Sequence, residues 1–99
     1  MQNLPEAEKV LREAAELREK NLPKEHFLTA LTNGALGECL MTQKKYAEAE
    51  PLLKESFESL KISQGTDNPR TETARRQLVS FYESVGKTDS ANEYRKKVL

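Results

Sequence analysis

"LPEAEKVLREA" (Leu4–Ala14) and "KKYAEAEPLLKES" (Lys44–Ser56) are two versions of one phrase. Sliding the chain against itself by forty-two positions pairs Glu6, Ala7, Glu8, Leu11, Glu13 and Glu16 with Glu48, Ala49, Glu50, Leu53, Glu55 and Glu58, all identical. The same offset, with no insertion, pairs Thr29 with Thr71, Leu36 with Leu78, Lys45 with Lys87, Ala49 with Ala91 and Lys54 with Lys96. Helices rich in Glu and Ala can resemble one another through composition alone. Composition does not keep loops in register, yet "PKEHF" (Pro23–Phe27) falls on "GTDNP" (Gly65–Pro69). The period runs the whole chain, so the fold is an array of one repeated unit.

Helix punctuation follows that period. Ala7, Val10, Leu11, Ala14 and Leu17 recur at spacings of three and four, which predicts an amphipathic helix over Leu4–Lys20 with Glu8–Arg12 and Glu16–Lys20 as pairs four apart. "NLPK" breaks it. A second helix is expected over about Glu25–Gln43, burying Leu28, Leu36, Cys39 and Leu40 and ending at Lys44 and Lys45. A third, about Tyr46–Ser63, carries Ala49, Leu53, Ser56 and Leu60 on one stripe before Gly65 stops it. A fourth, Pro69–Val85, buries Ala74, Leu78, Phe81, Tyr82 and Val85, and Gly86 closes it; Asp89–Leu99 forms a shorter fifth. No segment alternates with period two for long enough to make a strand. Pro51 is the one irregularity: it cannot donate to the carbonyl four residues back, so a slight bend or a loosened first turn is expected. Lys9 and Glu93 hold the equivalent places, so the proline is permitted and not required.

Composition excludes several function classes. The 99 residues carry 16 Lys and Arg against 16 Asp and Glu, with zero formal net charge, so no long-range field gathers nucleic acid or anionic membrane. Charged residues make up 32% and hydrophobic ones 36%, which suits a thin, well-solvated helical body. No apolar run is long enough for a spanning helix or a signal core, which leaves the cytoplasm as the expected location. One cysteine, Cys39, rules out an internal disulfide and is compatible with a reducing compartment.

The phrases "ALGECLMTQKKYAEAEPLL" (Ala35–Leu53) and "QLVSFYESVGKTDSANEY" (Gln77–Tyr94) resemble tetratricopeptide repeats (TPRs). The likeness is to the forty-two-residue form seen in kinesin light chains and in arrays attached to bacterial serine/threonine kinases. It covers nearly the whole chain. Leu36, Gly37, Leu40 and Ala49 supply the family's large–small–large–small pattern once, and Leu78, Val79, Tyr82 and Ala91 supply it again. The pattern has a physical basis, since a small residue on one helix must face a small residue on the other for the hairpin to close. Val79 is bulky for its place, so the last hairpin is expected to sit wider. His26 and Asn68 share one place in connectors that resemble the family's Gly-x-Asp-His-Pro loop. The resemblance implies one all-α domain over residues 1–99, a right-handed superhelical stack of antiparallel hairpins, about two and a half repeats in five helices: a half repeat at 4–20 and repeats at 25–63 and 69–99. It also implies a piece of a longer chain, the C-terminal module of a multidomain protein.

Residues with chemistry are few. His26 and Cys39 are the only candidates for a base and a nucleophile, but one falls in a connector and the other on a buried stripe. They read as a helix cap and a small core residue. The Glu-rich first and third helices offer paired carboxylates, but nearly every one has a basic neighbour four away, which makes a solvated face. Arg75–Arg76 is the only basic doublet on a mid-chain helix, and Arg95–Lys97 lies where a helix dipole favours cations. No phosphate loop, metal quartet or nucleic-acid module is present, so no enzyme activity, cofactor, metal, nucleic acid or membrane partner is expected.

What remains is a binding scaffold for another protein or peptide. In the family the first helix of each hairpin lines a concave side. Carried over residue by residue, that lining is Leu31, Gly34, Glu38 and Met41, then Thr73, Arg76, Ser80 and Glu83, with Arg76 the best placed to grip a carbonyl or carboxylate. The alternative is a self-associating element that oligomerises its parent. Leu4–Lys20 is a second-type helix without its first-type partner, so a homodimer through this helix is expected, with Val10 and Leu17 at its centre.

Overall fold

The computed structural model describes residues 3–23 and 26–96. It contains five helices, α1 (Leu4–Asn21), α2 (Phe27–Thr42), α3 (Tyr46–Gln64), α4 (Pro69–Ser84) and α5 (Thr88–Arg95), and no strand among those residues. Each lies within a few residues of the span expected from its periodicity. The expected start of α2 at Glu25, Lys97 of the basic doublet's partner run, and the last residues of the fifth helix fall outside the described residues.

The 42-residue period reappears as repeated backbone chemistry. At the start of α2 the ring Nδ1 of His26 accepts from the Leu28 amide at 3.1 Å; at the start of α4 the Asn68 side chain accepts from Arg70 at 2.8 Å. Both satisfy an amide that the first helical turn leaves unpaired. At the other end of each hairpin the Lys45 amide donates to the Leu40 carbonyl and the Lys87 amide to Tyr82, both at 2.8 Å. The chain can turn there because Lys44 and Gly86, one period apart, are left-handed, with φ of 66° and 77°. For glycine this is free, whereas a lysine in that conformation costs roughly 1–2 kcal/mol. α3 runs through Pro51 without interruption. Both Pro51 and Ala47, whose carbonyl lacks the missing amide, are exposed, so water can take its place.

Packing explains why small residues recur at one place. α2 lies against α3 and α4 against α5 as two hairpins, with α1 against α2 and α3 against α4 joining neighbours. In the first hairpin a Cβ added to Gly37 would stand 2.8 Å from Cγ of Leu53 and 3.4 Å from the Ala49 carbonyl. Gly37 is therefore what lets a fully buried leucine sit between the helices. In the second hairpin Val79 replaces Gly37, and the place of Leu53 is held by Arg95, whose guanidinium reaches outward to Glu83 and Asn92. Leu40, Leu60, Leu78, Ala49 and Ala91 are wholly buried, and Phe81 meets Tyr46 and Tyr82 edge-on. The Tyr82 hydroxyl donates to Glu50 at 2.7 Å. Burial first, and then that carboxylate, push the phenol well above its usual range, while the phenol's hydrogen bond lowers Glu50.

α1 differs from its counterpart α3. None of its residues is fully buried. Ala7, Leu11 and Ala14 are half-buried against α2, whereas Ala49, Leu53 and Ser56, one period later, are closed off. The expected stripe is thus split, for Val10 and Leu17 stand 56% and 61% exposed. What holds α1 instead is a polar clasp. Glu8 accepts from Arg12 at 2.8 Å, Gln43 at 2.9 Å and Lys45 at 3.0 Å, and Arg12 also reaches Glu48 of α3 at 2.6 Å. The Arg12 hydrogen bond, followed by those of Lys45 and Gln43, holds the Glu8 carboxyl down at about 2.

Candidate functional site

Two adjoining depressions lie along one side of α2 and α4. The larger, about 450 Å³, runs from Leu4, Ala7 and Leu11 of α1 across Leu31 and Glu38 to Arg70 and Thr73. The smaller, about 220 Å³, is walled by Glu38, Met41, Thr73, Arg76 and Ser80. Gln77 belongs to both. It donates from Nε2 to Glu38 at 2.7 Å, and its Oε1 would lie 3.1 Å from a Cβ added to Gly34. The absent side chain at Gly34 is what lets α4 approach α2 closely here.

Five of the eight expected lining residues, Glu38, Met41, Thr73, Arg76 and Ser80, therefore surround the smaller depression, and Leu31 joins Glu38 and Thr73 in the larger. Gly34 sits buried at the floor, where it serves the helix crossing and also faces Ser56 of α3. Glu83 lies in neither depression and pairs with Arg95 of α5. The sequence reading missed Gln77 and Arg70. Gln77 follows Thr73 by four residues and Arg70 precedes it by three on the same helical face, a signal that was available; the contact of the Arg70 guanidinium, 4.8 Å over the Phe27 ring at the start of α2, was not.

The electrostatics of this side are cationic along α4. The Arg76 side chain is 76% exposed and only loosely held, 3.5 Å from Glu72. Its neighbour Arg75 turns the other way, pairing with Glu72 and donating to the carbonyls of Tyr94 at 2.8 Å and Arg95 at 3.2 Å. Arg75 thus ties down the end of α5. His26 and Cys39 do not form a reactive pair. The His26 Nδ1 caps α2, and the buried Cys39 thiol points to the Leu4 carbonyl at 3.5 Å. Among the described residues no group of three or more His, Cys, Asp or Glu side chains could hold a metal. No helix among them is long and apolar enough to cross a membrane.

The family model for the tetratricopeptide repeat matches the chain twice, over residues 1–62 and 28–99. The chain belongs to the tetratricopeptide-repeat family. TPRs generally mediate protein–protein interaction and are not themselves enzymes. No curated protein and no solved structure matches the chain.

Proposed function

We propose that this TPR protein takes an extended peptide or a partner helix along the side formed by α2 and α4, with Arg76 as its principal polar contact. The observation that carries the reading is the continuity of the two depressions through Glu38, Thr73 and Gln77. One wall is apolar, at Leu31 and the α1 residues, and the other bears Arg70 and Arg76. That pairing fits a ligand with an acidic group beside an apolar side chain, since a guanidinium binds a carboxylate through two parallel hydrogen bonds. A cytoplasmic setting belongs to the same reading, and the single buried thiol is compatible with it. The test uses a peptide selected against the protein from a random display library. Arg76→Glu should weaken it by on the order of 1–3 kcal/mol without changing helicity. Unaltered affinity would place the site elsewhere.

A second reading, self-association, rests on Val10 and Leu17, which share the uncovered side of α1. Burying that stripe against a second copy would remove apolar area worth roughly 25 cal/mol per Å². Light scattering over a wide dilution series should show a dimer that Leu17→Glu dissociates. A monomer at every concentration would end this reading, and a dimer indifferent to the substitution would move the contact to another face.

A further inference from the structure

On the opposite side of α2 a second groove runs between α1 and α3. Its deeper part, about 330 Å³, is lined by Glu19, Thr29, Asn33, Glu55 and Ser59, and it continues through Glu19 and Asn33 into a stretch of about 430 Å³ flanked by Glu13 and Glu16. Residues 29, 30, 33 and 36 of α2 face it, whereas 31, 35, 38 and 42 face the first site; at about 100° per residue these are opposite faces of one helix. Glu13 and Glu16 each have a basic residue four positions away, Lys9 and Lys20, whereas Glu19 and Glu55 have none. The pairs do not form. Neither Glu13, Glu16, Glu19 nor Glu55 has an ion-pair or hydrogen-bond partner among the described residues, and the expected Glu16–Lys20 pair is absent. Of the two cations on the rim, Arg12 is already held by Glu8 and Glu48, which leaves Lys9.

The floor of the groove carries an independent sign. Thr29 is only 4% exposed, and its hydroxyl has no hydrogen-bond partner among the described residues. Its counterpart Thr71 is fully satisfied, donating to the Gly65 carbonyl at 2.7 Å and approaching Leu60 at 3.2 Å. The difference lies in the loops. Gly65, with φ of 86°, turns its carbonyl onto Thr71. Pro23 stands in its place one period earlier, and its ring forbids positive φ. The Arg18 carbonyl, counterpart of Leu60, accepts from the Leu22 amide instead. The first repeat thus keeps a buried, unpaired hydroxyl at the bottom of an acidic groove, which is costly unless something occupies it.

We propose that this groove receives a basic segment of a partner protein, with a lysine or arginine side chain entering the cavity over Thr29. The carboxylates of Glu19 and Glu55 meet its charge, the Thr29 oxygen accepts one of its N–H groups, and Glu13 and Glu16 meet further cations along the segment. A single water fills only about 30 Å³, so the cavity is large enough for a side chain.

The probe is a fluorescein-labelled dodecapeptide of arginine, leucine and alanine, followed by anisotropy and by amide shifts of the isotope-labelled full chain. Shifts should concentrate on α1, α3 and the Thr29 face of α2. Glu19→Gln with Glu55→Gln should weaken binding roughly tenfold, and a control with the same charge change elsewhere, Glu58→Gln with Asp67→Asn, by less than about twofold. Thr29→Val should weaken the probe while leaving the melting temperature unchanged or higher, because it removes an unpaired hydroxyl. Thr71→Val should lower it by about 4–8 °C. Equal losses from the two charge pairs, shifts centred on α4, or a Thr29→Val variant that binds as well as the parent would each overturn the proposal.

Discussion

Gly37→Val is expected to destabilise the chain by about 1–3 kcal/mol or more, although valine is the natural residue at the same place one repeat later. The Cβ alone would stand 2.8 Å from Cγ and 2.9 Å from Cδ2 of Leu53, closer than real carbon atoms approach. Leu53 is 1% exposed and cannot swing into solvent, so the α2–α3 hairpin must open. The helix gains some backbone rigidity from losing a glycine, about 0.5–1 kcal/mol, which is too little to compensate. Leu53→Ala by itself should cost roughly 2–5 kcal/mol through the cavity it leaves. Combined, the two changes should cost less than their sum, because the valine fills part of the space the leucine vacates; a coupling of about 0.5–3 kcal/mol is expected for residues in contact. Urea denaturation of the four proteins measures it. Strict additivity would mean that Gly37 is tolerated for some reason other than the approach of Leu53.

Much of this was legible in the sequence because the period acts as an internal alignment. It set His26 and Asn68 at one place in the two connectors, while the resemblance to tetratricopeptide repeats picked out the small residues Gly37 and Ala49, and Gly86 was legible as a helix stop. It did not show that Lys44 adopts the left-handed conformation of Gly86, since lysine carries no such signal. At the candidate site, the lining was carried over from the resemblance to tetratricopeptide repeats, and its spacing of three and four keeps each set on one helix face, so Glu38, Met41, Thr73, Arg76 and Ser80 lie around one depression. Gly34 and Glu83 share that face, but what they touch depends on neighbouring helices. Gly34 lies beneath Gln77 and Ser56, and Glu83 reaches Arg95. Likewise, a basic residue four positions away permits an ion pair without securing it. Glu8 and Arg12 pair because Lys45 and Gln43 converge on the same carboxylate from outside the helix, whereas Glu16 and Lys20 have no such convergence and remain apart. Exposed pairs of this kind gain little, so solvent competes with them on equal terms.

Phe81→Ala should have the largest effect of any single truncation, about 3–5 kcal/mol. Phe81 is 2% exposed, and its ring lies edge-on to Tyr46 of α3 at 6.0 Å and to Tyr82 at 5.2 Å. Tyr82 in turn stacks on Tyr94 of α5, which meets Phe57 of α3 edge-on at 5.7 Å. The aromatic group therefore spans the joint between the two hairpins as well as the interior of the second. For a domain whose total stability is on the order of 5–15 kcal/mol, that loss is a large fraction of the whole. It should not fall evenly on the chain. In a stack where each unit touches only its neighbours, stability is a sum of unit and interface contributions, and weakening one interface releases the elements beyond it. Among the described residues the α4–α5 hairpin is held from outside by α3 and α2 alone, and Arg75 of α4 ties the last carbonyls of α5 within it. α2 and α3 keep the Gly37–Leu53 crossing and the Glu8 clasp on their other side. Amide exchange should accordingly accelerate in α4 and α5 of the Phe81→Ala variant, with protection largely retained in α2 and α3. Equal acceleration in all five helices would show that the array unfolds as a single unit, and that the joint at Phe81 is no weaker than the hairpins it connects.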